Sequence, residues 1–327
     1  MIQENNIQKI AEFMLQNIDM VSLAGLYNGK AGISLSLFLA SGYLQDEHLE
    51  DIAYRLFQES IIIKNYDMGF ENGLTGIGYV MLYLIENKQL EADFDEIFGI
   101  QYETIIKSFE NIEKDPVRLV NSLQAIYFLS NASKIKKGDV RIQKIIKKIF
   151  EGLELFLTVQ FQDFADINYI NKKVEILTIY MIYLKLIVFS GYSYFSHSLL
   201  ENYAALYRKG RIVSSLETGF YLKKVADKYN IFEYDDVINE NLCSGIKNLY
   251  PKTLSLKERI DLTKITNNIK CEGIKESDFI PHIESMQNEK IIQNLLKTID
   301  EKSSPFGYGA GLGRLLIYYV NEQVELL

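Results

Sequence analysis

Apolar residues along the chain fall into two patterns, and both have a helical period. In 46-DEHLEDIAYRLFQES-60, Leu49, Ile52, Ala53, Leu56 and Phe57 recur at three- and four-residue steps, while Asp46, Glu47, Asp51 and Arg55 fall elsewhere. That spacing predicts a helix with one buried stripe. The segment 139-DVRIQKIIKKIFEGLELF-156 repeats it. Other stretches are apolar nearly all round, as in Ile77, Val80, Met81, Leu82, Leu84 and Ile85. A helix with no wet side belongs inside. Buried helix alternating with striped helix predicts two layers, one within the other. No useful run alternates as a strand would, so the chain reads as all-α.

Three of the apolar helices are entered through glycine-rich turns: 25-GLYNGKAGISLSLFL-39, 69-GFENGLTGIGYVMLYLI-85 and 304-SPFGYGAGLGRLLIYYV-320. Gly25, Gly29 and Gly32 align with Gly69, Gly73 and Gly76. In the last copy Gly311 is aligned with Gly76, and Tyr308 stands where Gly73 was. Glycine costs about 1 kcal/mol relative to alanine inside a helix. Clusters of it therefore point to backbone at positive φ or to very close approach. Fainter copies are read at 120-VNSLQAIYFLS-130, 166-DINYINKKVEILTIYMIYL-184, 206-LYRKGRIVSSL-216 and 241-NLCSGIKNLY-250. Seven units of this length predict stacked helix pairs. Equally strong first and last copies favour a closed ring over an open solenoid, with the glycine loops around one mouth of a central cavity.

Bulk properties narrow the class. With 327 residues, 48% hydrophobic, 24% charged, only 4 prolines and no linker-like stretch, residues 1–327 read as one globular domain. A net charge of −8 with no lysine or arginine block argues against a nucleic-acid surface. The longest apolar run, 176–189, contains Lys185 and is too short to span a membrane. No secretory signal opens the sequence, and 2 cysteines suit a reducing compartment, so a cytoplasmic location is expected.

The glycine motifs and their register resemble the lanthionine synthetase C-like (LanC-like) family. The resemblance implies an α/α-toroid of seven inner and seven outer helices. It also implies a zinc ion held by two cysteines and a histidine, which makes a peptide cysteine a thiolate for addition to dehydroalanine or dehydrobutyrine. Carried over residue by residue, the family's Cys-His-Gly motif falls on Cys243, Ser244 and Gly245, so one ligand is kept and the histidine is replaced. The other ligand cysteine falls on Arg208, and the proton-handling histidine on Asn171. Serine and arginine are not zinc ligands, and arginine brings a positive charge to the cation's own site. No cofactor is expected. A displaced site from Cys243, Cys271 and His282 matches no compact zinc pattern, and Cys243 reads as a small buried residue.

Other candidates lie at the motif loops. Tyr27, Lys30, Glu71, Arg208, Tyr308 and Arg314 are the cavity-loop binding candidates. Lys30, Lys172, Arg208, Lys209, Arg211 and Arg314 could make the mouth basic, for an anionic ligand or a peptide carboxylate. Asp67, Glu71 and Glu175 are acids that suit either helix starts or glycoside hydrolysis. Tyr79, Tyr83, Tyr318 and Tyr319 read as packing. The leading expectation is a zinc-free member of the family that binds a peptide substrate or a peptide-modifying partner protein. The alternatives are an active thioether cyclase with non-standard zinc ligands and a carbohydrate-active hydrolase on the same toroid.

Overall fold

A computed structural model describes residues 2–62, 67–110, 112, 116–167, 169–250, 254–269, 279, 292, 296–299 and 304–320. Among them are fourteen α-helices and one short 3-10 turn at Ile18–Met20, with no strand. The chain divides into two compact units, residues 1–105 with 250–327 and residues 106–249.

The first unit holds α1 (Ile2–Gln16), α2 (Lys30–Leu44), α3 (Glu47–Ile62), α4 (Leu74–Glu86), most of α5 (Phe94–Phe109), α13 (Leu256–Ile269) and α14 (Leu312–Val320). Helices α2, α4 and α14 are buried along almost their whole length, as their unbroken apolar sequences require. Helix α3 lays its stripe of Leu49, Ala53, Leu56 and Phe57 against α2. The Ser34 hydroxyl on α2 donates to the Ala53 carbonyl at 2.7 Å, which satisfies a polar group in that interface. Helix α14 packs on α2, α2 on α4 and α13 on α14, so α13, α14, α2 and α4 form one side-by-side series. The last motif copy therefore lies directly against the first.

The second unit contains α6 (Pro116–Asn121), α7 (Ala125–Ile135), α8 (Val140–Gln162), α9 (Ile170–Ser190), α10 (His197–Arg208), α11 (Leu216–Tyr229) and α12 (Asp235–Lys247). Its own side-by-side series is α7, α9, α11. Helix α8 packs on α7, α9 and α10, and α12 on α10 and α11. The buried side chain of Asn241 joins α10, α11 and α12: its carbonyl oxygen accepts from Ser215 N at 3.0 Å and from the Tyr203 hydroxyl at 3.3 Å.

One sequence expectation shifts here. Residues 241–247 are the last turns of α12 and do not form a loop entering a buried helix. In the first unit it is α13, with no glycine motif, that packs beside α14. Gly245 belongs to a helix contact, because a Cβ there would come within 2.6 Å of Leu216 N. The first unit's series thus holds α2, α4, α13 and α14, and the second unit's holds α7, α9 and α11. The helices between them, α1, α3, α5, α8, α10 and α12, carry the striped pattern.

The second unit also holds a half-buried acid with a measurable signature. Glu154 on α8 accepts from the Tyr183 hydroxyl at 2.8 Å and from Ser196 N at 2.9 Å. Burial raises its pKa, and those two hydrogen bonds only partly offset the shift. A raised carboxyl pKa means that the folded state holds its proton more tightly. Its contribution is complete below the unfolded-state pKa and fades as pH climbs through the raised value. Glu154→Gln keeps the acceptor oxygen and removes the titration. Relative to wild type, this variant is expected to gain stability as pH rises just above the ordinary glutamate range, in urea unfolding across pH 4–8.

Candidate functional site

The three glycine loops of the first unit share one construction. Lys30 N donates to Leu23 O at 2.9 Å, Leu74 N to Asp67 O at 2.8 Å and Leu312 N to Pro305 O at 2.8 Å. Each bond closes the loop over the residue that starts a helix, and Gly29, Gly73 and Gly311 stand just before those residues. This moves the alignment of the last copy by three positions. Gly311 corresponds to Gly29 and Gly73, Tyr308 to Leu26 and Phe70, and Arg314 to Gly32 and Gly76.

Contacts between copies follow the same register. Gly309 N donates to Tyr27 O at 3.0 Å, and Tyr27 N donates to Glu71 O at 2.6 Å. Gly309, Tyr27 and Glu71 are equivalent positions, so each loop passes a main-chain bond to the next. A Cβ on Gly32 would lie 2.7 Å from Tyr308 Cβ, and one on Gly76 would lie 2.9 Å from Leu26 Cβ. Similarly, one on Gly25 would meet Asn72 backbone, and one on Gly307 would meet Asn28 backbone. The junction of last copy to first thus repeats the junction of first to second. Among the described residues only Gly191 and Gly210 are glycines at positive φ. The motif glycines serve close approach.

Arg314 takes the slot that is glycine elsewhere, and it is fully buried. Its Nη2 lies 2.5 Å from Asp261 Oδ1 on α13, its Nε 3.1 Å from the same oxygen, and its Nη1 3.4 Å from Gly309 O. Asp261 Oδ2 in turn lies 2.7 Å from Lys257 Nζ, one turn earlier on α13. No glycine loop precedes α13. Its start is a capping box, with Ser255 N donating to Glu258 Oε2 at 2.8 Å and Glu258 N to the Ser255 hydroxyl at 3.3 Å. The Arg314 guanidinium also donates to Gly309 O, within its own loop. Burial opposes the charge on Arg314, but the Asp261 carboxylate together with Tyr308 and Tyr27 outweighs it, so the guanidinium pKa is raised.

Solvent reaches this cluster at Tyr27 and Glu71. Tyr27 is half-buried, with its ring centroid 6.3 Å from that of Phe70 and 6.1 Å from that of Tyr308. Burial pushes its phenol pKa up, against the pull of Arg314. Glu71 is exposed, yet the surrounding protein desolvates its carboxyl and raises its pKa; Lys257 opposes that shift and Asp67 adds to it. The surface thus offers an acid, the half-exposed Lys257 ammonium and an aromatic edge, over a buried ion pair. Asp261 and Lys257 escaped the sequence reading. A lone arginine in an apolar helix was the available signal, because a buried guanidinium requires a buried acid.

The remaining sequence candidates lie as follows. Lys30 forms an ion pair with Glu59 at 2.5 Å, and Arg208 one with Asp236 at 2.7 Å on an exposed surface. Like Arg314, both cations are neutralised where they stand. Lys172, Lys209 and Arg211 form no ion pair among the described residues. Asn171 and Glu175 are exposed on the first turns of α9. Asp67 accepts from Gly69 N at 2.7 Å and shapes its turn. Tyr79, Tyr318 and Tyr319 are buried, and Tyr83 is half-buried.

Cys243 is exposed, contrary to the expectation of a small buried residue, because it lies on the outward side of α12. Ser244 follows it, half-buried. The positions carried over from the zinc motifs therefore present one thiol, one hydroxyl and an arginine already bonded to Asp236. That donor set does not fit zinc. Among the described residues no three His, Cys, Asp or Glu side chains are grouped to hold a metal ion. Cys271 and His282 lie outside the described residues. No helix among the described residues is long and apolar enough to cross a membrane. The chain matches no family model, no curated protein and no solved structure.

Proposed function

We propose that the chain is a seven-hairpin α/α-toroid of LanC-like type that binds a peptide, or a peptide-modifying partner protein, at its glycine-loop end without zinc chemistry. The observation that carries this reading is the repeated junction of copies: Gly309 to Tyr27, then Tyr27 to Glu71, in one register. An open helical array ends on atypical capping repeats, whereas here the last copy meets the first as the first meets the second. Seven helices in the two side-by-side series agree in number with the inner layer of that toroid.

The binding half of the proposal rests on Tyr27, Glu71 and Lys257. An acid and an amine beside an aromatic edge suit the alternating donors and acceptors of an extended peptide backbone and its charged side chains. The donor set at Arg208, Cys243 and Ser244 favours binding over thioether cyclisation. The acids Glu71 and Asp67 do not favour glycoside hydrolysis, since Asp67 is committed to its own turn.

Two measurements on the full chain test this reading. Metal analysis of protein purified from zinc-supplemented culture is expected to find far less than one zinc per chain; stoichiometric zinc would contradict the zinc-free reading. An array of short unmodified peptides should retain the protein, and Glu71→Ala together with Lys257→Ala should abolish retention. Equal retention by that variant would remove the site.

A further inference from the structure

The loop between α9 and α10, residues 191–196 of the second unit, is short, aromatic and pinned at both ends. Gly191 closes α9 in the left-handed region, at φ 69°. Tyr192 O accepts from the Tyr229 hydroxyl at 3.0 Å, and Ser196 N donates to Glu154 Oε1 at 2.9 Å. Between these anchors the Tyr192 ring lies flat on the fully buried Phe150 ring, with centroids 4.1 Å apart and planes 5° from parallel. Tyr194 is 81% exposed; its ring meets that of Tyr192 at 66°, with centroids 6.1 Å apart. Glu154 Oε1 takes the Tyr183 and Ser196 bonds, and among the described residues Oε2 takes none. Burial first, then the charges of Glu154 and Glu151, with Tyr194 adding, push the Tyr192 phenol up to about 12, so both acids act on this ring. Glu151 is already paired with Lys147 at 3.6 Å, which leaves Glu154 as the acid of the corner.

We propose that Tyr192, Tyr194 and Glu154 form a docking corner for an arginine side chain of a partner polypeptide. An aromatic face beside a carboxylate attracts a cation through ring electrons and charge together. A guanidinium suits it better than an ammonium. It is planar and weakly hydrated, so it can stack on Tyr192 as Tyr192 stacks on Phe150, while its N–H groups donate to Oε2. The corner is also built in advance: Phe150 backs one ring and two hydrogen bonds hold the acid, so binding has little left to order. Leu155, the next residue on α8, is 69% exposed and offers apolar surface to a side chain adjoining the arginine, which favours a peptide segment over the free amino acid. The corner lies wholly within the second unit and does not rest on the reading of Tyr27 and Glu71.

Saturation-transfer NMR on the full chain at neutral pH tests the corner. The probe is a short, end-blocked glycine peptide carrying one arginine followed by one leucine, and its Kd is measured. Saturable binding is expected, with lysine in place of arginine weakening it about fivefold and glutamine abolishing it. Tyr194→Ala and Glu154→Gln should each weaken the arginine peptide about tenfold. Tyr194→Ala removes only an exposed ring, so the test stands even if Glu154→Gln fails to fold. Glu240→Gln, at an exposed acid on α12, and the Glu71→Ala, Lys257→Ala variant should leave the Kd unchanged. No saturable binding, equal binding of the glutamine peptide, or a Kd unmoved by Tyr194→Ala overturns the corner. A loss in either of the other two variants equal to that in Tyr194→Ala overturns it as well. Free arginine amide binding as tightly as the peptide would overturn the polypeptide occupant.

Discussion

Gly76→Ala is expected to cost the protein about 3–5 kcal/mol, seen as a large drop in the urea midpoint at unchanged slope. The new methyl would press into the Phe70 carbonyl of its own loop and lie 2.9 Å from Leu26 Cβ of the neighbouring one. Neither obstacle is the end of a flexible side chain. One is backbone and the other is the first carbon of a buried leucine, so relief requires two loops to separate. Separation also stretches the Tyr27 N to Glu71 O bond, which joins the same two loops. Gly32→Ala should behave alike, because its methyl would meet the Leu26 carbonyl and Tyr308 Cβ in the equivalent junction. Gly99→Ala on α5 is the control. Nothing lies within 4 Å of the added carbon, so better helix propensity alone should raise stability by about 0.5–1 kcal/mol.

Arg314→Met is expected to lose about 3 kcal/mol, near the lower end for breaking a buried ion pair. Asp261 would keep Lys257 at 2.7 Å, which limits the penalty. The rest comes from a carboxylate oxygen that loses its inner partner and from Gly309 O, which loses the donor at 3.4 Å. The double variant Arg314→Met with Asp261→Leu should recover all but about 1 kcal/mol, since an apolar pair of similar volume avoids the desolvation that the ions incur. A single variant without effect would show that the Arg314–Asp261 pair does not hold α14 to α13. Arg314→Lys should rescue little, because an ammonium cannot reach both Asp261 and Gly309 O in the manner of a planar guanidinium.

The helical class and the alternation of buried with striped helices were legible from periodicity alone. Residues such as Leu49, Ala53, Leu56 and Phe57 can satisfy burial in one way only. The glycine motifs announced close contact, but their register in the last copy was not legible. Arg314 occupies a glycine slot there, and a string of glycines at 307, 309, 311 and 313 offers several alignments. The helix bond from Leu312 N to Pro305 O decides among them. The sixth copy reads onto the end of α12 for a related reason. Gly245 looks like a motif glycine, whereas α13 begins with a Ser255–Glu258 capping box and no glycine at all. Site residues were harder still. Asp261 and Lys257 lie on a helix with no motif, and only the packing of α13 against α14 reveals that Asp261 faces Arg314, with Lys257 on its other oxygen.

The repeated junction of loops is tested most directly by amide hydrogen exchange at Tyr27 and Gly309 in the wild-type chain. Tyr27 N donates within the first-to-second junction and Gly309 N within the last-to-first. If the two junctions are one structure used twice, both amides should be strongly protected, with factors within about tenfold of each other. A Gly309 amide that exchanges at nearly the free rate, beside a protected Tyr27, would mean that the last copy does not bond to the first.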